Sequence, residues 1–168
     1  MSARSRAERA SDQEQVRRAT AADLEALAEL WTEITLHHRD LDPLFTLRQG
    51  AEGAIRSLLR STLEDPGCGV FVSELDGEVV GICCVRIDRA PPILREVERA
   101  EITDLGVRRD HRRRGLGRGL AEAALTWVRE REVARVEVRV VAGNREGEAF
   151  WRSLGFEDHV NVLHLNTS

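Results

Sequence analysis

The chain has 168 residues, of which 42% are hydrophobic and 32% charged, and a formal net charge of −4. That length suits one domain with a single sizeable core, and the acidic balance argues against a general nucleic-acid binder, whose domains are usually basic. No apolar run approaches the roughly 20 residues a membrane helix needs, so composition points to a soluble, cytoplasmic protein with neither membrane nor nucleic acid as partner.

Residues 1–14 are rich in Ser, Arg, Glu and Gln and lack the apolar stretch of a secretory signal, so they read as a mobile arm ahead of a single domain over residues 15–168. Residues 15–18 can form a short first strand. Thr20 and Asp23 then stand in the Thr-x-x-acid spacing of a helix capping box. Leu24, Leu27, Ala28, Trp31, Ile34 and Thr35 follow at helical spacing and predict a helix with one buried face, stopped by Leu41, Asp42 and Pro43. A second helix is expected over residues 51–63, burying Ala54, Ile55, Leu58 and Leu59 before Asp65, Pro66 and Gly67 end it.

The period then changes to that of strands. Residues 70–74 and 79–85 flank Asp76 and Gly77, a pair suited to a type I′ hairpin turn because both central positions need positive φ. Cys83 and Cys84 are neighbours on the second of these strands and point to opposite faces. Together with Cys68 they make an odd number with no metal-ligand spacing, so they read as buried thiols and no metal is expected. Residues 90–92 mark a loop. In the strand-like run over residues 100–107, Ile102 falls on an even position while Leu105 and Val107 fall on odd ones. A strict period of two cannot place all three on one face, which predicts a β-bulge between Thr103 and Leu105.

From Gly115 the pattern is helical, with Leu116, Leu120, Ala124, Trp127 and Val128 on one side. Val136, Val138 and Val140 alternate with Glu137 and Arg139 as a strand. This strand, helix and strand form a βαβ unit whose outer strands should be parallel. A short helix over residues 146–154, closed by Gly155, and a last strand over residues 160–165 complete the chain.

The chemistry concentrates where a strand ends and a helix begins. Arg108, Arg109, His111, Arg112, Arg113, Arg114 and Arg118 surround Gly115 and Gly117. A helix amino terminus offers unpaired N–H groups and a partial positive charge, and glycines let a phosphate approach them closely. The run lacks the Lys-Ser/Thr of a Walker loop, and Gly119 breaks the spacing of a dinucleotide fingerprint.

This pattern resembles the signature of the GNAT family of N-acetyltransferases, Arg/Gln-x-x-Gly-x-Gly/Ala after a strand ending in Val, at Arg112, Gly115 and Gly117. A second block, Asn144, Trp151, Gly155 and Phe156, resembles the family's Asn, Tyr, Gly and Phe. The resemblance extends over residues 16–165. It implies an α/β (α+β mixed) GNAT fold, whose mixed sheet of about six to seven strands splays at its centre and is flanked by about four helices. It also implies acetyl-coenzyme A as cosubstrate and direct transfer of acetyl, in a ternary complex, to a primary amine on a small-molecule or peptide acceptor, with a homodimer as a possible assembly. By the family pattern, Leu105, Gly106 and Val107 would hold the pantetheine and polarise the thioester carbonyl. Backbone amides of Arg112, Arg113, Arg114, Gly115, Leu116 and Gly117, with Arg118 nearby, would take the pyrophosphate and Asn144 would touch the pantetheine, while Trp151 would pack beside the pantetheine or in the core.

One departure concerns acid–base chemistry. Many relatives place tyrosine, the acid for the departing thiolate, where this chain has Trp151, and the chain contains no tyrosine at all. A thiol pKa of about 8.5 makes the thiolate a tolerable leaving group without that help. The ammonium of the acceptor must still lose a proton, and Glu101 and Asp104 are the candidate general bases. His37 or His38, at the end of the first helix, could contact the acceptor or serve as base. A coenzyme A-binding domain without turnover is the alternative class of function.

Overall fold

The structure is a computed structural model that describes residues 14–93, 95–165 and 167. Except for Glu14, the expected amino-terminal arm lies outside the described residues. Five strands form one sheet in the order β1 (Glu14–Arg18), β2 (Cys68–Leu75), β3 (Glu78–Arg89), β4 (Glu98–Val107) and β5 (Val136–Val138). The first four pair antiparallel, and β5 joins β4 in parallel. Helices α1 (Leu24–Leu41) and α2 (Glu52–Glu64) precede β2, α3 (Leu116–Arg129) connects β4 to β5, and α4 (Arg145–Ser153) follows β5.

The alternation of side chains along the central strands divides the core in two. Ile82 and Cys84 pack with α1 and α2, among Leu27, Leu30, Ile34, Ile55 and Leu59. Cys83 and Val85 face α3 and α4, among Leu120, Ala124, Trp127, Val128 and Trp151. The adjacent cysteines thus serve opposite layers, as their spacing predicts, and all three thiols are free. Burial pushes the Cys83 and Cys84 thiols far above their ordinary range, which leaves them unreactive.

The β2–β3 hairpin turns at Asp76 and Gly77 with φ of 50° and 82°, the positive values that a type I′ turn requires. The bulge on β4 is present one residue earlier than the sequence indicates. Cys84 pairs with Asp104 while the next residue, Val85, pairs with Ile102, so Thr103 is the extra residue. The apolar pattern fixed the need for an insertion but could not say which residue loses its partner.

Other expectations are corrected. Among the described residues the sheet has five strands, because residues 160–165 form no strand and their apolar side chains are exposed. Strand β5 ends at Val138, and Val140 is already beyond it. On α2, Ile55 and Leu59 are buried, but Ala54 and Leu58 face outward, because the helix touches the core along a narrower stripe than its apolar spacing suggests. Among the described residues no helix is long and apolar enough to cross a membrane.

The capping residues ahead of α1 also join it to the sheet. The Asp23 carboxylate accepts from the Thr20 backbone N–H at 2.7 Å and from both terminal nitrogens of Arg17 on β1 at 2.9 Å. Arg17 in turn donates to Glu74 on β2. The Arg17 guanidinium holds the Asp23 carboxyl down at about 2, from an ordinary 3.8. A depressed carboxyl stabilises the fold above its unfolded value and loses that effect as pH falls through its folded value. Asp23→Asn should cost about 2 kcal/mol in urea unfolding at pH 7. The difference between wild type and variant should shrink as pH falls from about 4 to about 2, and a difference independent of pH would refute the assignment.

Candidate active site

Strands β4 and β5 pair over only three positions, Ala100 with Val136, Glu101 with Glu137 and Ile102 with Val138. The next pair would be Thr103 and Arg139, but Thr103 is the bulged residue, and a bulge bends its strand and sharpens the local twist. Beyond this point the strands part. They enclose a cleft of about 460 Å³, with Thr103, Asp104, Leu105, Gly106 and Val107 on one wall and Val138, Arg139, Val140 and Val141 on the other.

The glycine-containing loop between β4 and α3 closes one end of this cleft. Arg112 donates from Nε to the carbonyl of Val107 at 3.1 Å, folding the loop back onto the end of β4. Arg113 and Gly115 adopt positive φ, 64° and 91°, which turns the chain into α3. Gly115 is the N-cap and carries no side chain to cap the helix. Among the described residues, the backbone N–H groups of residues 112–118 donate to no protein acceptor. Helix amino termini in this state are anion sites by construction. Gly117 lies between Phe150 and Leu105 on the cleft floor.

Most residues expected from the sequence meet here. Asp104, Leu105, Gly106, Val107, Arg112, Arg113, Gly115, Leu116, Gly117, Arg118, Asn144 and Trp151 all border the cleft. Arg114 is exposed and lies outside the lining. Asn144 caps α4 by accepting from the Gly147 N–H at 2.9 Å, which leaves its amide NH₂ for other partners. Trp151 is buried, edge-on to both Phe150 and Phe156.

The two candidate bases are placed very differently. Glu101 is only 6% exposed and outside the cleft lining. Its Oε2 accepts from Arg86 at 2.8 Å, and its Oε1 lies 3.2 Å from Nε of Arg139. Both oxygens are committed to cations, as a buried carboxylate requires. Asp104 does line the cleft. It accepts from the Thr103 hydroxyl at 2.8 Å, and burial pushes its carboxyl above the usual range. His37 and His38 border the same end. Burial, reinforced by His37, lowers the His38 pKa against the opposing pull of Asp104. His38 is therefore neutral at pH 7 and able to accept a proton.

Sequence reasoning missed Thr103, Arg139 and Phe150. Phe150 adjoins Trp151 and could have been found from that neighbour. Arg139 carried no signal beyond its alternation with valines, because its role depends on where β5 leaves the sheet.

Residues 24–156 match the family model described as Acetyltransferase (GNAT) family. An N-alpha-acetyltransferase of Sulfurisphaera tokodaii is 32% identical over 108 residues, which cover 60% of this chain and 63% of that protein, less than two thirds of its length. Among solved structures, a tetramutant of the BH1408 protein of Bacillus halodurans superposes with a TM-score of 0.81 at 21% identity, covering 90% of this chain and 99% of that one. A predicted acetyltransferase of Clostridium acetobutylicum, crystallised with acetyl-coenzyme A, gives 0.73 at 15% identity, covering 92% and 96%. At these identities the structural likenesses establish the fold alone. The family match runs from the first residue of α1 to the turn after α4 and so takes in the cleft and its phosphate loop; the chain belongs to the GNAT acetyltransferase family.

Proposed function

We propose that this chain transfers an acetyl group from acetyl-coenzyme A to a primary amine by direct attack in a ternary complex. The observation that carries this reading is the forked sheet, with unpaired amides of residues 112–118 at the end of its cleft. Those amides, with the guanidinium groups of Arg113 and Arg118 on the same lining, suit a diphosphate. The outer edge of β4 beyond Ile102 has no strand partner and offers its backbone to an amide-bearing arm.

When bound, acetyl-coenzyme A supplies an acyl group activated as a thioester. The protein's part is to align it, exclude water and remove a proton from the acceptor. Asp104 attracts the ammonium, and its raised basicity suits it to take the proton, with neutral His38 beside it as the second acceptor. Glu101 is unavailable for this step because two arginines hold its oxygens. Attack forms the amide, the C–S bond breaks, and the thiolate departs without a side-chain acid, since the indole of Trp151 has no acidic proton to give.

Acceptor-dependent release of free thiol from acetyl-coenzyme A across an amine panel is the direct test, and no release with any amine would refute the assignment. Asp104→Asn should lower kcat by about 100-fold while leaving acetyl-coenzyme A affinity intact. The wild-type rate should fall on the acid side of pH 6.5 as His38 and Asp104 take up protons.

Gly117→Ala separates cofactor binding from folding. A Cβ there would sit at 3.7 Å from Phe150 and 3.8 Å from Leu105, ordinary contacts inside the cleft. Thermal stability should hold or rise by up to about 1 kcal/mol, because alanine favours a helix over glycine. Acetyl-coenzyme A affinity measured by calorimetry should drop by about tenfold as the methyl crowds the amides. Unchanged affinity would mean that coenzyme A does not lie along this loop.

A further inference from the structure

The cleft holds one cation that the transfer reading leaves unused. Arg139 lies just past the last paired residue of β5, at the apex of the fork and opposite the bulged Thr103, on the lining that also holds Asp104. Its side chain is 71% exposed. Only Nε is engaged, with Oε1 of Glu101 at 3.2 Å, and among the described residues its two terminal nitrogens meet no protein acceptor. Glu101 is itself fixed, through Oε2, by Arg86. A buried carboxylate pinned from one side by Arg86 thus meets, on the other, a guanidinium that borders the cleft.

We infer that Arg139, oriented by Glu101, binds a carboxylate carried by the acceptor, so that the acceptor is an amine that also bears an anionic group. Asp104 and Arg139 border the fork from opposite strands. Together they present a negative and a positive group to an incoming molecule, which suits a zwitterion better than a polyamine. The planar guanidinium donates two parallel N–H bonds to a carboxylate, geometry that an ammonium cannot supply. Glu101 is a positioning residue in this scheme. It rests on the transfer reading for the identity of the site, but the binding preference can be measured without turnover.

Calorimetric binding to the coenzyme A-saturated protein tests the inference with matched pairs: L-alanine and isopropylamine, β-alanine and propylamine, 4-aminobutyrate and butylamine. At least one carboxylated member should bind about tenfold more tightly than its partner amine, the worth of one charge-assisted contact. Arg139→Gln should abolish that preference. Glu101→Gln should weaken it and, in steady-state assays, raise KM for the carboxylated acceptor with kcat little changed, whereas a merely structural loss would lower both kcat and thermal stability. Equal binding within all three pairs, or a preference that survives Arg139→Gln, would overturn the inference. So would an Arg139→Gln variant that loses coenzyme A affinity and keeps the preference, because Arg139 would then serve the cosubstrate. Failure of the transfer reading looks different: no acetylated product from any amine, with the binding preference intact.

Discussion

The parting of β4 from β5 is the constraint on which the rest of this structure depends. A strand edge left without a partner exposes N–H and C=O groups that must find hydrogen bonds elsewhere. Here three residue pairs close the sheet and then a bulge at Thr103 turns β4 away. Everything beyond that point is open backbone on one side of a cleft. The same segment ends at Val107, whose carbonyl anchors Arg112 and so sets the direction in which α3 starts. One extra residue thus creates the cleft and aims the helix terminus at its end. Gly106 follows from the same geometry, since a Cβ there would collide with Ile34 of α1. The helix that carries His37 and His38 packs against the wall of the cleft only because that position is bare.

Charge is distributed by the same logic. Glu101 and Asp104 stand three residues apart on one strand, yet the bulge and the fork give them different surroundings. Glu101 lies below the fork, where neighbouring strands bring Arg86 and Arg139 against both of its oxygens. Burying that carboxylate without them would be prohibitive, and with them it is a hub for orientation instead of a base. Asp104 lies above the fork, beside the neutral hydroxyl donor of Thr103. Burial makes this carboxylate hold its proton more readily, against the opposing pull of the Thr103 donor.

Much of this was legible in the residues. Asp76 and Gly77 announced the hairpin, the parity break among Ile102, Leu105 and Val107 announced the bulge, and Arg112, Gly115 and Gly117 announced the anion loop. Each depends on local backbone preference or side-chain periodicity, which neighbouring residues carry. The strand expected over residues 160–165 failed because alternating valines and leucines record only a capacity to pair. Pairing needs a partner edge, and in this structure the segment has none.

The sequence by itself determined the family, most of the order of elements and the glycine turn into α3, because these rest on short-range patterns of glycine, charge and apolar spacing. Only the tertiary structure decided which acid faces the cleft and which is tied up in ion pairs. Glu101, Asp104 and Arg139 are ordinary charged strand residues in isolation. Their roles come from which strands stand beside them and where pairing ends, relations between residues up to 38 positions apart that no local pattern encodes.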